Sequence, residues 1–401
     1  MATKKTNLFI SSIITLSLFF VSIILQVLLG LIPITAFLFP VNLNLILELT
    51  ALIILFHFVF KKSKVIQWIS SPPAALSSIL LFSLLIIPMA IIPQQSNLQT
   101  FLGLNQITHT WMFTVSSLYL ITTLGFTIMR RSFPLRAHNI LFFINHFGLW
   151  IILTTGLLGA ADRQEVMMQV YEGQVVWYGE NEKGEIVELP IAIKLHDFVM
   201  RSFPSKIALV DPQGKPYTIK DNECLEVTGT STFNIAQYRI NILQYYPEFS
   251  GDSIKQQETS VVAPAARVII TTPQKELISG WISSGNYLQR PTVIELGKDT
   301  LLALLTPEPE YFGSKVTLYS KSDNDAQKKI ISVNNPAHLE GWNIYQYSYD
   351  VNMGNDSKYS IFMLVKDPWL PLVYFGMILL MIGSILLLFT KIKIQRKEDT
   401  L

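Results

Sequence analysis

The stretch that decides the fold is NILFFINHFGLWIILTTGLLGAA, residues 139–161. It is apolar over a length that crosses a bilayer, since a spanning helix needs about 20 such residues. The sequence then turns polar over residues 162–366, until a last apolar run at residues 369–390. It therefore predicts a membrane domain at residues 1–161, an aqueous domain at residues 162–366, and a final span with a basic tail at residues 367–401.

The composition of the whole chain is that of a membrane protein. Hydrophobic residues make up 50% of the 401 residues and charged residues 15%, which departs from the balance of soluble domains. Six apolar runs are long enough to span: residues 8–31, 41–60, 74–92, 111–129, 139–161 and 369–390. The first run is longer than a usual signal core, and no small-x-small cleavage site follows it, so we expect a retained helix.

Basic residues outside the segment 162–366 occur only in alternate connections between these spans. They are Lys4, Lys5, Lys61, Lys62, Lys64, Arg130, Arg131, Arg136, Lys391, Lys393, Arg396 and Lys397. The intervening loops, residues 32–40 and 93–110, contain no Lys or Arg. Because short cytoplasmic loops carry the excess of basic residues, we predict a multi-pass protein with both termini in the cytoplasm and the large polar segment on the far side.

The polar segment 162–366 is predicted to be all-β. Short alternating runs indicate strands at residues 186–193, 206–210, 233–246, 267–272, 315–319, 329–333, 342–349 and 359–365. Asp211-Pro212-Gln213-Gly214 has the composition of a turn. Many short strands with little helical periodicity predict a sandwich-like domain.

Charge and cysteine content exclude several functions for this domain. It holds 19 Lys and Arg against 25 Asp and Glu, a net charge of −6, which gives nucleic-acid binding no support. Cys224 is the single cysteine, so the chain can form neither an internal disulfide nor a two-cysteine redox centre. The sequence also lacks a phosphate loop, a covalent haem-attachment motif and histidines at zinc-site spacing.

His146 is the most informative residue of the membrane half. It lies about seven residues into its helix, or roughly 10 Å along the axis. A neutral imidazole there can ligate iron through one nitrogen while its other N–H needs an acceptor. The alternative is a histidine hydrogen-bonded to a neighbouring helix. Gly148 leaves room for a close neighbour, either a helix or a flat ligand.

Three further polar side chains lie in or beside the spans. Glu48 is about seven residues inside the second span, where an ionised group is costly; it forms a polar contact or proton path, or it reaches water at the interface. His57 lies four residues before Lys61 and is expected to be structural. His109 opens the fourth span and is expected to be an interfacial histidine without a chemical role.

The strand Trp342–Tyr349 has strict aromatic alternation. Tyr345, Tyr347 and Tyr349 are predicted on one face, with Trp342, Ile344, Gln346 and Ser348 on the other. We favour a strand packed on its aromatic face. Such a row can also hold an extended peptide or the edge of a porphyrin, and the residues leave that alternative open.

Two groups of motifs resemble a known family. INHFGLWIILTTGLLGAADR, residues 144–163, followed by a β-rich exported domain, resembles the Ccs-type (ResB) cytochrome c biogenesis proteins, which carry a His-x-Gly helix at this place. The second group is Val333-Asn334-Asn335-Pro336, then a Gly-x-x-x-Tyr-Gln-x-Ser-Tyr strand containing Gly341, Tyr345 and Gln346, then Lys366-Asp367-Pro368. These motifs recur in the family in the same order.

The resemblance implies a subunit of the System II cytochrome c synthetase in the bacterial cytoplasmic membrane, with the β domain in the periplasm. It implies transient haem b, shared with a CcsA/ResC-type membrane protein, and apocytochrome c and a thioredoxin-like thiol reductant as further partners. By the same resemblance His146 would be an axial ligand of the haem iron, and His338 a candidate haem contact. Gly148, Asn335, Pro336, Gly341, Tyr345 and Gln346 are family-motif positions.

Two departures from the family limit what the resemblance implies. The tryptophan-rich segment of the partner is not found in this sequence, so we expect at most an accessory subunit of a haem-lyase complex, not catalytic alone. Five spans precede the polar domain here, more than the family plan has. No family role is therefore carried over to Glu48, His57 or His109.

Two other classes of function compete with the haem hypothesis. The first is a non-catalytic membrane-anchored scaffold or sensor whose exported β domain binds a partner protein. The second is a transporter, because Glu48 and His146 are polar groups within spans. Transporters of this kind contain inverted repeats, and the sequence shows no internal repeat.

Overall fold

The computed structural model describes residues 2–94, 100–136, 139–217, 224–249, 263–287, 289–323 and 326–398. The chain divides into two compact units. The helical unit comprises Met1–Arg163 and Asp367–Leu401, and the β unit comprises Gln164–Lys366. Each unit has its own core.

The described part of the helical unit contains the following α-helices: α1 (Ala2–Leu29), α2 (Val41–Val59), α3 (Lys64–Ile69), α4 (Pro72–Ile91), α5 (Trp111–Ser132), α6 (Ile140–Leu158) and α7 (Leu370–Glu398). Six of them, all but α3, are long and apolar enough to cross a membrane. These six coincide with the six runs predicted from the sequence. The prediction of a polytopic helical membrane protein is therefore confirmed.

Local sequence explains where two of these helices begin. The Thr110 hydroxyl accepts a hydrogen bond from the Phe113 N–H at 3.1 Å, and so caps the N-terminus of α5. Side-chain caps of this kind satisfy one of the N–H groups that have no partner within the helix. Pro72 and Pro73 open α4, where the missing N–H costs nothing.

Helix α5 is the most buried of the spans and contacts α1, α2, α4 and α6. Its apolar contacts include Ile53 of α2 against Phe126. The Trp150 indole N–H of α6 donates to the Ile121 carbonyl at 3.2 Å. Ser78 of α4 and Thr123 share a buried hydrogen bond of 2.9 Å. Apolar packing and these few polar contacts fix α5 at the centre of the unit.

The β unit consists of strands β1 (Gln164–Tyr171), β2 (Val175–Asn181), β3 (Ile186–Ser202), β4 (Lys206–Val210), β5 (Leu225–Glu226), β6 (Thr232–Ile235), β7 (Tyr238–Phe249), β8 (Ala263–Thr271), β9 (Leu277–Ser283), β10 (Ile294–Gly297), β11 (Thr300–Leu304), β12 (Pro309–Ser320), β13 (Gln327–Ser332), β14 (Ala337–Leu339), β15 (Trp342–Tyr349) and β16 (Tyr359–Lys366) in its described part. All paired strands within its sheets run antiparallel, as expected of an all-β domain joined by short connections.

The largest sheet has eight strands in the order β13-β12-β3-β2-β1-β16-β15-β14. Its inward side chains form one core that includes Leu195, Val316, Ile344 and Phe362. The first and last strands of the unit pair with each other, with Gln164 opposite Lys366. The chain therefore enters and leaves the β unit on neighbouring strands.

Two further sheets have four strands each, in the orders β10-β11-β4-β5 and β6-β7-β8-β9, and they share one core. Leu209 and Leu302 of the first sheet share a buried cluster with Ile240 and Val268 of the second. This is the sandwich arrangement that alternating apolar residues predict. The prediction of a large all-β domain is confirmed.

Some predicted strand bounds were wrong. The run 233–246 is two strands, because Ala236 takes a φ of +52° and turns the chain between β6 and β7. The run 186–193 extends to Ser202 as β3, whose continuation pairs with β12 through a bulge. The turn at residues 211–214 is confirmed: the Gly214 N–H donates to the Asp211 carbonyl at 2.8 Å.

Candidate functional site

His146 lies half-buried on α6, and its ring is held by its own helix. The ring stacks on Phe142 with a centroid separation of 3.8 Å. Nδ1 is 3.1 Å from the Phe142 carbonyl oxygen. A carbonyl can only accept, so Nδ1 carries the proton in the neutral ring and Nε2 keeps its lone pair. Among the described residues, Nε2 has no hydrogen-bond partner.

The Phe142 ring is itself fixed on its other side. The guanidinium carbon of Arg131, at the end of α5, lies 4.4 Å from the centre of the Phe142 ring. Cations are attracted to the faces of aromatic rings. The stack therefore runs from Arg131 through Phe142 to His146 and orients the imidazole without using Nε2.

Helix α6 presents three different faces. Phe143, Phe147 and Trp150 join the cluster shared with α5. Asn145 and Gly148 face α7, as described below. His146 lies between these two faces, on the side of the positions three and ten residues later, by helical spacing. The last of these, Gly156, is exposed and has no atom within 4 Å of where a Cβ would lie.

Gly148 is in contact with a helix. A Cβ at this position would lie 2.6 Å from the Leu380 backbone nitrogen and 2.7 Å from the Gly376 carbonyl oxygen of α7. Beside it, the Asn145 amide donates to the Ser384 hydroxyl at 2.6 Å and to the Leu380 carbonyl at 3.2 Å. Of the two alternatives that the sequence left open for Gly148, the close neighbour is α7.

Asp162, which follows α6, is a structural residue that sequence reasoning did not single out. Its carboxylate accepts hydrogen bonds from the Phe39 N–H at 2.8 Å, the Asn42 amide at 2.8 Å and the Trp369 indole N–H at 2.6 Å. These donors belong to the start of α2 and the start of α7. One carboxylate thus joins the ends of three helices. Its signal in the sequence is that it ends an otherwise uncharged span.

A cleft of the helical unit lies elsewhere. It has a volume of about 540 Å³ and is lined by apolar side chains of α2, α3 and α5, among them Leu52, Phe56, Ile66 and Phe126. His146 does not line it. The cleft therefore offers no protein ligand to an iron ion.

Among the described residues of the helical unit, no other polar side chain is hydrogen-bonded to His146. His57 is buried on α2, with 3% of its surface exposed. The His109 ring is 3.4 Å from the Thr108 hydroxyl, and its backbone carbonyl accepts from the Ile32 N–H at 2.7 Å. Glu48 is exposed on α2. Among the described residues, no group of three His, Cys, Asp or Glu side chains could hold a metal ion.

The motif positions of the β unit lie together at the closure of the eight-stranded sheet. β13 and β14 are its two edge strands, yet they follow each other in sequence and are joined by residues 333–336. The Asn335 N–H donates to the Ser332 carbonyl at 3.0 Å, and Asn334 takes a φ of +63°. Val333 and Asn334 therefore lie at the centre of a turn that Asn335 closes, and Pro336 follows it in the connection between the two edge strands.

Gly341 lies in the tight turn between β14 and β15. Leu339 pairs with Trp342, so the loop has two residues, Glu340 at φ +51° and Gly341 at φ +77°. Two positive φ values define the turn that matches strand twist in a hairpin, and Gly at the second position is its usual residue. Hydrogen bonds from Ser320 and Ser322 to the Glu340 carboxylate lower its pKa and connect this turn to the end of β12.

Gln346 belongs to a buried polar network inside the sheet. Its side-chain oxygen accepts from the Ser314 hydroxyl of β12 at 2.6 Å, and that hydroxyl is 2.7 Å from the Ser360 hydroxyl of β16. Its amide donates to the Ser348 carbonyl at 3.0 Å. Ser314 and Ser360 are fully buried. The network joins β12 to β15 and β16, which are not its neighbours in the sheet, and so stabilises the packing of these strands across the core.

The predicted alternation of tyrosines holds only for the first half of β15. A bulge between Gln346 and Ser348 shifts the register with β16, so that Tyr349 pairs with the buried Ser360. Tyr349 therefore turns inward and stacks on Phe198 at 4.9 Å, and burial raises the pKa of its phenol. The prediction that Tyr349 shares a face with Tyr345 was wrong, because a bulge inserts one extra residue and reverses the faces that follow.

His338 lies exposed on β14, opposite Asn343. Within the described part of the chain its ring makes no hydrogen bond or ion pair. His196, the other histidine of the β unit, is at the bulge of β3 and lies 2.7 Å from the Thr317 hydroxyl. The assignment of His338 as a haem contact stays a prediction.

The role of Gly341 can be tested by stability alone. We expect Gly341→Val to destabilise the β unit by about 1–2 kcal/mol, because a side chain at positive φ costs that much. Gly229→Val is the matched control, since Gly229 has a negative or extended φ and no atom within 4 Å of its Cβ position. Thermal unfolding of the full chain in detergent measures both. Equal melting temperatures for the two variants would contradict the turn assignment.

Three comparisons with known proteins bear on identity. Residues 266–358, from β8 to the segment before β16, match the model of the ResB-like family. No curated protein sequence matches the chain. Among solved structures, the cytochrome c heme lyase CcmF is similar with a TM-score of 0.22 and 10% identity, over 84% of this chain and 43% of that chain. The chain thus spans less than half of that protein's length, and a likeness of this size defines neither fold nor function.

The segment that matches includes Asn335, Pro336, Gly341, Tyr345 and Gln346, the positions on which the resemblance was based in this domain. The resemblance is confirmed: residues 266–358 of this chain are ResB-like.

Proposed function

We propose that this chain is an accessory subunit of a membrane cytochrome c synthetase of the System II type, which holds haem b within the membrane and presents it, with apocytochrome c, on the outer side. The ResB-like segment and the order of the six candidate spans, five before the β unit in sequence and one after it, support this proposal. The observation that carries it is the hydrogen bond between Nδ1 of His146 and the Phe142 backbone carbonyl, which leaves Nε2 available to a ligand.

The residues around His146 fit the ligation of an iron ion. Ligating histidines almost always donate their second ring N–H to a carbonyl or carboxylate, which fixes the tautomer and orients the ring. The Phe142 carbonyl serves that purpose here, and the stack of Arg131 on Phe142 limits rotation. When bound, haem would supply an iron centre that a histidine nitrogen can hold and vinyl groups that can react with thiols.

Within this chain, Nε2 of His146 would hold the iron from the third face of α6. Gly156, ten residues after His146, adds no side chain to that face. Among the described residues of the helical unit, no second histidine is hydrogen-bonded to or stacked on His146. The second ligand would therefore come from a CcsA/ResC-type membrane partner, as the resemblance implies.

The remaining parts of the proposal concern placement and partners. The distribution of basic residues favours cytoplasmic termini and a β unit in the periplasm. In that compartment the β unit would meet apocytochrome c, whose cysteines a thioredoxin-like reductant keeps as thiols. Cys224 is the single cysteine of this chain, so the chain does not supply that dithiol itself.

The experiment uses cells in which each variant replaces the wild-type chain. We expect His146→Ala to lower covalent haem on c-type cytochromes by at least about tenfold, since even the outer partners of metal ligands change affinity by that factor. Haem staining after denaturing electrophoresis measures the product. Added imidazole should restore part of the signal. Ile140→Ala, at an exposed position on a different side of the same helix, is the control and should stain normally.

Normal staining in the His146→Ala strain, at equal protein level, would reject ligation at this residue. The scaffold hypothesis would then be favoured, because it assigns no chemistry to the membrane half.

A further inference from the structure

Glu48 is an acidic side chain inside a span without a visible purpose. The candidate spans contain two acidic residues, Glu48 and Asp162. Asp162 ends its span, and its carboxylate accepts hydrogen bonds from Phe39, Asn42 and Trp369, at the starts of α2 and α7. Glu48 is seven residues from the start of α2, or about 10 Å along the axis. It is therefore the more deeply placed of the two.

The contacts of α2 leave Glu48 on its outer side. The helix turns Asn42, Ile53 and His57 inward, where all three are buried. Glu48 and Asn44 are exposed on the opposite side, four residues apart and thus neighbours along one face. No described residue gives either side chain a hydrogen bond or an ion pair.

Hydrocarbon is a poor environment for this pair. An ionised carboxylate near the centre of a spanning helix costs about 2.5–3.5 kcal/mol on insertion scales, and such groups almost always face protein or water. A protonated carboxyl and an amide still need partners for their hydrogen bonds. The exposed faces of α1 and α7 differ, since they carry side chains such as Phe20, Ile24 and Ile378. Lipid suits those faces, and it does not suit the Asn44–Glu48 face.

We propose that the Asn44–Glu48 face of α2 is a docking surface for a spanning helix of a different protein, and that this helix carries a Lys, Arg or His side chain at the depth of Glu48. Charge complementarity selects this occupant, because a cation satisfies the carboxylate and leaves hydrogen-bond donors for the amide. A second copy of this chain would place two Glu48 carboxylates against each other, which like charges oppose. The inference uses neither His146 nor the β unit and stands apart from the proposed function.

The first test measures access to Glu48 with dicyclohexylcarbodiimide, which modifies protonated carboxyls from the apolar phase. We expect mass spectrometry to find the adduct on Glu48 in the purified full chain in detergent, and at least about tenfold less in native membranes, where the partner covers it. Glu48→Gln removes the adduct and assigns the signal. Equal labelling in both preparations would mean that Glu48 faces lipid or water, and absence of labelling in both would mean an ionised, hydrated carboxylate; either result rejects the proposal.

The second test determines whether the partner helix carries a positive charge opposite Glu48. On native gels of solubilised membranes, we expect the Glu48→Lys chain to migrate at the size of the purified chain, while wild type stays in a larger complex. Leu80→Lys, at an exposed position of α4, is the control for a lysine within a span and should stay in the complex. A Glu48→Lys chain that keeps the complex, or labelling that falls with concentration of the purified chain alone, would overturn the choice of a basic heterologous helix.

Discussion

Gly148→Ala should destabilise the helical unit, although alanine is the better helix former. The added methyl group would lie 2.6 Å from the Leu380 nitrogen, 2.7 Å from the Gly376 carbonyl oxygen and 2.9 Å from the Leu379 Cβ of α7, and the first two are backbone atoms that cannot rotate away. The helices would have to separate, which breaks the Asn145 hydrogen bonds to Ser384 and Leu380 as well. Overpacking of this kind costs roughly 1–3 kcal/mol, and a larger side chain such as Leu should cost more.

The matched control for this prediction lies on the same helix. Gly156→Ala adds the same methyl group where no atom lies within 4 Å, and the gain in helix propensity of up to about 1 kcal/mol should appear undiminished. Thermal unfolding in detergent, followed by tryptophan fluorescence, compares the two variants. If Gly148→Ala melts as high as Gly156→Ala, then α6 and α7 do not pack through Gly148.

Asp162→Ala should be the second strongly destabilising change. Three N–H donors, from Phe39, Asn42 and Trp369, would lose one shared acceptor. Asn42 is fully buried and Trp369 nearly so, and a buried donor without a partner costs about 1–3 kcal/mol. A negative charge at the start of α2 also interacts favourably with the helix dipole. We expect a total loss of about 2–4 kcal/mol.

Unfolding in detergent, together with protein level in membranes, measures this effect. Asp162→Asn keeps one acceptor oxygen and should fall between wild type and Asp162→Ala. Asp299→Ala is the control, because within the described residues the Asp299 side chain makes no hydrogen bond and only its backbone carbonyl accepts one, from Tyr217. An Asp162→Ala chain as stable as Asp299→Ala would show that the three helix ends hold together without this carboxylate.

The membrane half could be predicted well because one quantity decides it. Each span must be apolar over about 20 residues, and this property can be read locally, without knowing which helices meet. The use of Asp162 could not be predicted in that way. Its three donors lie 123, 120 and 207 residues away in sequence, so only the folded helices reveal why a carboxylate follows α6.

Gly148 illustrates the same limit at one position. A glycine in a span indicates a close neighbour, and the sequence left open whether that neighbour is a helix or a flat ligand. The answer depends on the Gly376 and Leu380 backbone of α7, more than 200 residues later. For His146 the local sequence was sufficient to suggest ligation, and the structure adds the proton position through Phe142.

In the β unit, strand content followed from alternation and the closure of the sheet did not. Asn335, Pro336 and Gly341 stood out as motif positions. Asn335 and Pro336 lie in the connection between the two edge strands of the eight-stranded sheet, and Gly341 lies in the hairpin turn between β14 and β15. The inward turn of Tyr349 depends on a bulge, and period-two alternation contains no signal for an extra residue.

The central claim is that His146 ligates haem iron through Nε2, and the visible absorption spectrum tests it most directly. The full chain is purified in mild detergent with its membrane partner, as wild type and as His146→Ala. We expect a Soret band in wild type that is lost or shifted in His146→Ala and recovered by added imidazole. Identical haem spectra for the two preparations, or no haem in either, would contradict it and leave His146 as a packing residue on Phe142.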